Sequence, residues 1–158
     1  MKRRGLKLVT SSWVRPAPNS APCQSKASGL YMICTMSRDA ANKAGADDAL
    51  MHDYRGQLAE TSASNIFLVI NGEVHTPTPD CFLDGITRRT VMDLARKRGL
   101  KVVERAIWPD ERAKATEFFV TGTAVEVMPV GQIDQKRFEV GPITRQLMED
   151  YQAVVRGS

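Results

Sequence analysis

At 158 residues, 42% of them hydrophobic, the chain can fill one packed core of ordinary domain size and is too short for two full domains. Its formal net charge of +4 comes from scattered lysines and arginines; only residues 1–7 and 96–98 are locally basic, without interleaved aromatics, so no nucleic-acid partner is expected. No apolar run approaches the length that crosses a bilayer, and residues 1–10 lack the apolar core and cleavage site of an export signal, so the expected setting is the cytoplasm, away from membranes.

In chain order, residues 6–14 read as a strand, and "RPAPNSAP" (15–22) reads as an irregular connection because its prolines cannot donate to a ladder. Residues 28–45 read as a helix: Leu30, Ile33, Cys34, Ser37, Ala40 and Ala41 recur at helical spacing, and Gly45 closes the end. "DDALMHDYRGQLAETSASNIFLVINGEVHTP" predicts two hairpins, turning at Tyr54-Arg55-Gly56 and at Asn71-Gly72. A second helix is predicted over residues 86–98 with Gly99 at its stop, strands over 100–107 and 117–121, and a last helix from Pro142 to about Val155. Strands and helices cluster instead of alternating, which fits a mixed α+β domain better than a doubly wound sheet.

Cys23, Cys34 and Cys81 are odd in number and lack metal-ligand spacing, so free thiols and no metal site are expected. His52 and His75 have no serine or cysteine elbow near them and read as strand or loop residues. Trp13 and Trp108 are expected to pack, and Met32, Met36, Met92 and Met128 to serve the core or a subunit contact.

Three short segments carry chemistry. The first is "SKASGLYMICTMS" (25–37), where Lys26 stands just ahead of a helix. On one helix, Lys26 and Tyr31 would be turned apart by roughly 140°. With Ser28 as N-cap, Lys26 instead lies on the extended chain entering the helix, and the two side chains can converge. Alone, such a lysine is a solvated surface residue; held in a snug pocket, it is a Schiff-base nucleophile. The second segment, "GITRRT" (85–90), offers the amides of Ile86 and Thr87 and the Thr87 hydroxyl at a helix start, an arrangement suited to phosphate, with plain capping as the alternative. The third, "TGTAVE" (121–126), either cradles an anion or is a turn between strands.

Taken together and in order, "KASGLY" (26–31), "GQLAETSASNIF" (56–67), "FLDGITRRTVMDLAR" (82–96) and "FFVTGTAVEVMPV" (118–130) resemble the class IV aminotransferases, the fold type IV pyridoxal-phosphate enzymes, and within them the branched-chain amino acid aminotransferases most. The resemblance implies a mixed-sheet pseudo-barrel with packed helices and pyridoxal 5'-phosphate as cofactor. It implies that Lys26 forms the Schiff base and shuttles the substrate proton. Tyr31 would bond the cofactor's phenolic oxygen, and Glu60 would face the pyridine nitrogen. Leu83 and Gly122 would sandwich the ring, while Ile86, Thr87 and Thr123 hold the phosphate. Thr123 and Ala124 would bind the substrate carboxylate, and Asn65 would shape the backbone.

The resemblance further implies amino acid and 2-oxo acid substrates, a homodimer, and transfer from branched-chain amino acids to 2-oxoglutarate. D-amino acid aminotransferase and aminodeoxychorismate lyase share the same cofactor residues and are the enzyme alternatives. The family's smaller N-terminal domain has no counterpart ahead of Leu6, so residues 1–158 read as one cofactor-binding domain, the family's C-terminal one. A third reading is an inactive truncated remnant that only binds cofactor or a partner subunit.

Overall fold

The computed structural model describes residues 2–157. Its strands are β1 (Leu6–Arg15), β2 (Asp48–Asp53), β3 (Leu58–Thr61), β4 (Asn65–Ile70), β5 (Glu73–Pro77), β6 (Val102–Arg105), β7 (Glu117–Gly122), β8 (Glu126–Ile133) and the short β9 (Lys136–Arg137). The helices are α1 (Tyr31–Lys43), α2 (Ile86–Lys97) and α3 (Pro142–Arg156). Six strands in the order β3-β2-β1-β8-β7-β4 form a ring, which the pairing of Glu60 in β3 with Asn65 in β4 closes into a barrel. β5 and β6 continue outward from β4, and β9 edges β8.

Two of the three parallel pairs follow from crossover helices, and the third joins β1 to β8. α1 carries the chain from β1 to the parallel β2, and α2 carries it from β5 to the parallel β6. The antiparallel pairs of strands adjacent in sequence need only short turns, whereas β4 and β7 pair across the intervening β5, α2 and β6. Asn71 and Gly72, at φ 50° and 75°, form the left-handed turn that joins β4 to β5, which is why Asn-Gly at this place reads so clearly as a hairpin.

Side-chain alternation decides where each strand residue goes. Ile66 and Leu68 of β4 and Phe118 and Val120 of β7 pack inside the barrel with Leu6, Leu8, Leu50, Leu58, Val130 and Ile133. Their neighbours Phe67, Val69 and Phe119 point the other way, onto Val91 and Ala95 of α2 and Leu147 of α3. Phe67 and Phe119 stack there with ring centroids 4.9 Å apart. β4 and β7 are therefore buried on both faces, which is why "NIFLVI" and "EFFV" are continuous apolar runs.

The mixed α+β sheet expected from the sequence is present, with three instructive differences. The helix expected from residue 28 begins as a 3-10 turn (Ser28–Leu30), and α1 proper starts at Tyr31; Ala27, not Ser28, is the N-cap, and no side chain caps it. β8 carried no strand signal because Pro129 and Gly131 interrupt it, yet it lies between β1 and β7, where β1 shifts register at Leu6 and Lys7. Trp13 and Trp108 do not pack inward but stand 42% and 48% exposed, and Met32 and Met36 lie on the open face of α1. Met92 is buried, and Met128 packs against the barrel core. All three cysteines are free and buried.

α3 is fixed to the barrel by one carboxylate. Buried Glu117, the first residue of β7, accepts from the Thr144 amide at 2.7 Å, the Thr144 hydroxyl at 2.6 Å and the Ile143 amide at 3.2 Å. These donors sit in the first turn of the helix, where amides lack intrahelical partners and a negative charge is favoured. Glu117→Ala is expected to lower the unfolding free energy by roughly 2–4 kcal/mol, because it strands buried donors as well as deleting a charge. Urea unfolding of the two proteins measures it, and a loss under about 0.5 kcal/mol would show that the contact contributes nothing.

Candidate active site

A cavity of about 160 Å³ opens at one end of the barrel. Five pieces of chain meet there: the end of β1 with the loop into α1, the β3–β4 turn, the segment leading into α2, the start of α1, and the β7–β8 turn. Lys26, Tyr31, Glu60, Leu83, Ile86, Thr87, Gly122 and Thr123 all line it, eight of the nine residues expected to touch cofactor or substrate, and Asn65 lines it too. Ala124 is exposed beside Thr123 and does not line the cavity.

The loop that carries Lys26 is anchored from beneath. Cys23 is buried in a small cluster with Ala59, Cys81 and Phe82, which pins the loop three residues before the lysine. Lys26 itself is exposed on the extended chain, and the 3-10 turn after it delivers Tyr31 to the same cavity. The convergence expected through a Ser28 cap is thus achieved by a tighter turn.

Glu60 forms the floor. It projects from β3 beside Arg15, whose Nε lies 3.4 Å from Glu60 Oε1 and donates to the Cys81 carbonyl at 3.1 Å. Burial pushes the Glu60 carboxyl up to about 8; Arg15 opposes the rise, and Asp48 adds to it. Arg15 escaped the sequence reading because it stands where β1 gives way to a proline-rich connection. Its one legible signal was that a strand ending in "WVR" places the arginine on the face opposite Val14, which is exposed.

The third wall is built for an anion. Gly85 is the N-cap of α2 in extended conformation with no side chain capping the helix, which leaves the first-turn amides of Ile86 and Thr87 open. The Gly85 amide lies 3.3 Å from Asn65 Oδ1, and the Asn65 Nδ2 donates to the Leu83 carbonyl at 2.9 Å. Thr87 Oγ1 stands 3.5 Å from the Tyr151 hydroxyl of α3. Across the cavity, the buried Thr121 hydroxyl has no hydrogen-bond partner among the described residues, and Gly122 leaves its strand flat, with Ser64 Oγ only 3.1 Å from where a side chain would begin. A buried hydroxyl without a partner, open helix amides and a flat glycine together fit a ligand with both a polar rim and a planar body. Elsewhere, Asp53 and Asp80 gather near Cys81, but Arg55 bridges their carboxylates at 2.7 Å and 2.8 Å.

A family profile for amino-transferase class IV matches residues 1–133 of this chain. The chain belongs to that family. Among curated relatives, it is 41% identical to a "Probable branched-chain-amino-acid aminotransferase" of Aquifex aeolicus, over 98% of this chain and 51% of that protein. It is 38% identical to a "Branched-chain-amino-acid aminotransferase" of Pseudomonas aeruginosa, over 98% of this chain and 52% of that protein. The crystal structure of the branched-chain amino acid aminotransferase from Thermobaculum terrenum, solved in its PLP-form, superposes with a TM-score of 0.92 at 37% identity, over 97% of this chain and 52% of that one. The chain spans about half the length of the curated relatives it matches.

The position of Glu60 has a measurable consequence. A carboxyl whose folded value is about 8, against an ordinary 4.5, is protonated in the folded state over the interval where it ionises in the unfolded one. The folded protein then binds the extra proton, so its stability falls as pH rises from about 4.5 to about 8. Glu60→Gln, which cannot ionise, is expected to gain stability relative to the parent over that interval, read from urea midpoints at each pH. Parallel profiles for the two proteins would contradict it.

Proposed function

We propose that this chain is the single cofactor-holding domain of a pyridoxal-phosphate aminotransferase that moves the amino group of a branched-chain amino acid to 2-oxoglutarate. The observation that carries the proposal is the meeting of Lys26, Tyr31, Glu60, Thr87 and Gly122 on one cavity. The names of the relatives and the PLP-form of the Thermobaculum terrenum structure support the substrate class and the cofactor.

Bound pyridoxal phosphate supplies an aldehyde that condenses with amines and a ring that takes up the electron pair left when the α-proton departs. Lys26 is the amine that holds it and the group that carries the proton between the substrate α-carbon and the cofactor. Tyr31 donates to the phenolic oxygen from the start of α1. Glu60 sets its carboxylate against the ring nitrogen and keeps a proton there; the same burial that raises its own value makes a facing cation its natural partner. Leu83 and Gly122 take the two faces of the ring. Ile86 and Thr87 hold the phosphate with Thr123, and the Thr123 amide, with that of Ala124 exposed beside it outside the cavity lining, meets the substrate carboxylate.

The cytoplasm is the proposed setting; no helix among the described residues is long and apolar enough to cross a membrane. Trp13, Val14, Met32 and Met36 are exposed apolar groups from the end of β1 and the open face of α1, which supports assembly with a second copy. A second reading, a chain that binds cofactor without turning over, is favoured by the exposure of Lys26 and of Ile86 at the cavity. A lysine left in water is less well placed for chemistry than one enclosed with its substrate.

The test is absorbance of the purified chain with pyridoxal phosphate, followed by borohydride reduction and peptide mass analysis. Reduction is expected to fix one cofactor on Lys26 and none in Lys26→Ala. Cofactor fixed equally in the variant would remove Lys26 from its role. Turnover of L-leucine with 2-oxoglutarate then decides between the two readings.

A further inference from the structure

We propose that Asn65 and Arg88 are positioning residues, which clamp the segment from Leu83 to Thr87 from two sides and hold it at the spacing a phosphate requires. The inference rests on the reading of that segment as the phosphate-binding turn. It concerns what keeps the turn in place, since the turn cannot do so itself.

Residues 78–85 belong to no strand or helix, so no ladder fixes their path. Side chains do. Asn65 stands at the first position of β4, opposite Glu60 at the closure of the barrel. Both polar atoms of its amide are committed to the turn, Nδ2 to the Leu83 carbonyl at 2.9 Å and Oδ1 to the Gly85 amide at 3.3 Å. The approach is so close that a Cβ on Gly85 would lie 2.5 Å from Asn65 Oδ1. Ring floor and anion turn are therefore joined through one side chain.

Arg88 holds the other side. It is the largest fully buried side chain among the described residues, 1% exposed, and its guanidinium does not line the cavity. It donates to Asp84 Oδ1 at 2.8 Å, to Glu104 Oε2 at 2.6 Å and to the Pro77 carbonyl at 3.0 Å, with the Thr76 hydroxyl at 3.4 Å. A buried cation is tolerated only when such partners surround it, and losing one end strands the rest. These partners tie Asp84, between Leu83 and Gly85, to the ends of β5 and β6. A planar five-donor fork can reach all of them; a lysine ammonium cannot.

A clamp on the phosphate turn differs from a general strut in what it affects. The phosphate-dependent share of cofactor affinity should depend on both residues, while the share from ring and aldehyde should not. The experiment compares dissociation constants for pyridoxal 5'-phosphate and for pyridoxal on the 158-residue chain, its Asn65→Ala and Arg88→Lys variants, by fluorescence titration alongside circular dichroism. The parent is expected to favour the phosphorylated form strongly. Each variant should lose that preference by about tenfold or more while binding pyridoxal within about twofold of the parent. Should Arg88→Lys fail to fold, Asn65→Ser, a smaller substitution at the hairpin start, carries the comparison with Asn65→Ala. Variants that keep the full preference, or that weaken both ligands equally, would overturn the clamp and leave the functional reading standing. A parent that shows no preference would overturn the reading of the turn as a phosphate site, and the clamp with it.

Discussion

One backbone pairing sets the geometry of everything at the cavity. β3 and β4 meet only at Glu60 and Asn65, and that meeting turns an open sheet into a barrel. It sets Glu60 on the cavity beside Arg15 and places Asn65, on the same face, against the segment that enters α2. A slip of one residue in either strand would turn that strand's side chain to the opposite face and separate the pair. The carboxyl proposed to face a ring nitrogen and the turn proposed to hold a phosphate are thus held at a fixed separation by two paired residues of one hairpin.

The site is expensive for the fold that carries it. Glu60, Arg15 and Asp48 are ionisable groups packed near one another at the end of the barrel, Thr121 keeps an unpartnered hydroxyl among the described residues, and the first turn of α2 has no side-chain cap. Each of these costs stability that an apolar or capped alternative would not. By contrast, the first turn of α3 is capped by Glu117, with a glycine, Gly141, leaving it room. The unpartnered Thr121 hydroxyl and the uncapped α2 amides on one cavity, against the capped α3, favour the cavity as the place for a ligand.

Much of this was legible in the sequence, for physical reasons that differ from element to element. Asn71-Gly72 and the long apolar run before it declare a hairpin because only a left-handed turn joins such strands tightly. Gly45 and Gly99 mark helix ends through the same left-handed conformation. β8 was hidden, since a proline and a glycine inside a strand are compensated by neighbours in the ring that a linear reading cannot see. The site residues were legible through family resemblance alone; Lys26, Glu60 and Thr87 are ordinary residues in isolation. Arg15 lies 45 residues from Glu60 and Arg88 lies 16 from Glu104, beyond the reach of a local pattern, although Arg88 also meets Asp84 four residues earlier. The exposed tryptophans were misjudged because burial was inferred from residue type, whereas position on an open face governs it.

The most direct test of the account is a crystal structure of the chain with pyridoxal 5'-phosphate bound. The account predicts the phosphate on the amides of Ile86 and Thr87 with Thr123 beside it, the ring between Leu83 and Gly122, and its nitrogen against Glu60. A phosphate seated away from the α2 N-terminus, or a ring whose nitrogen turns from Glu60 toward solvent, would contradict it.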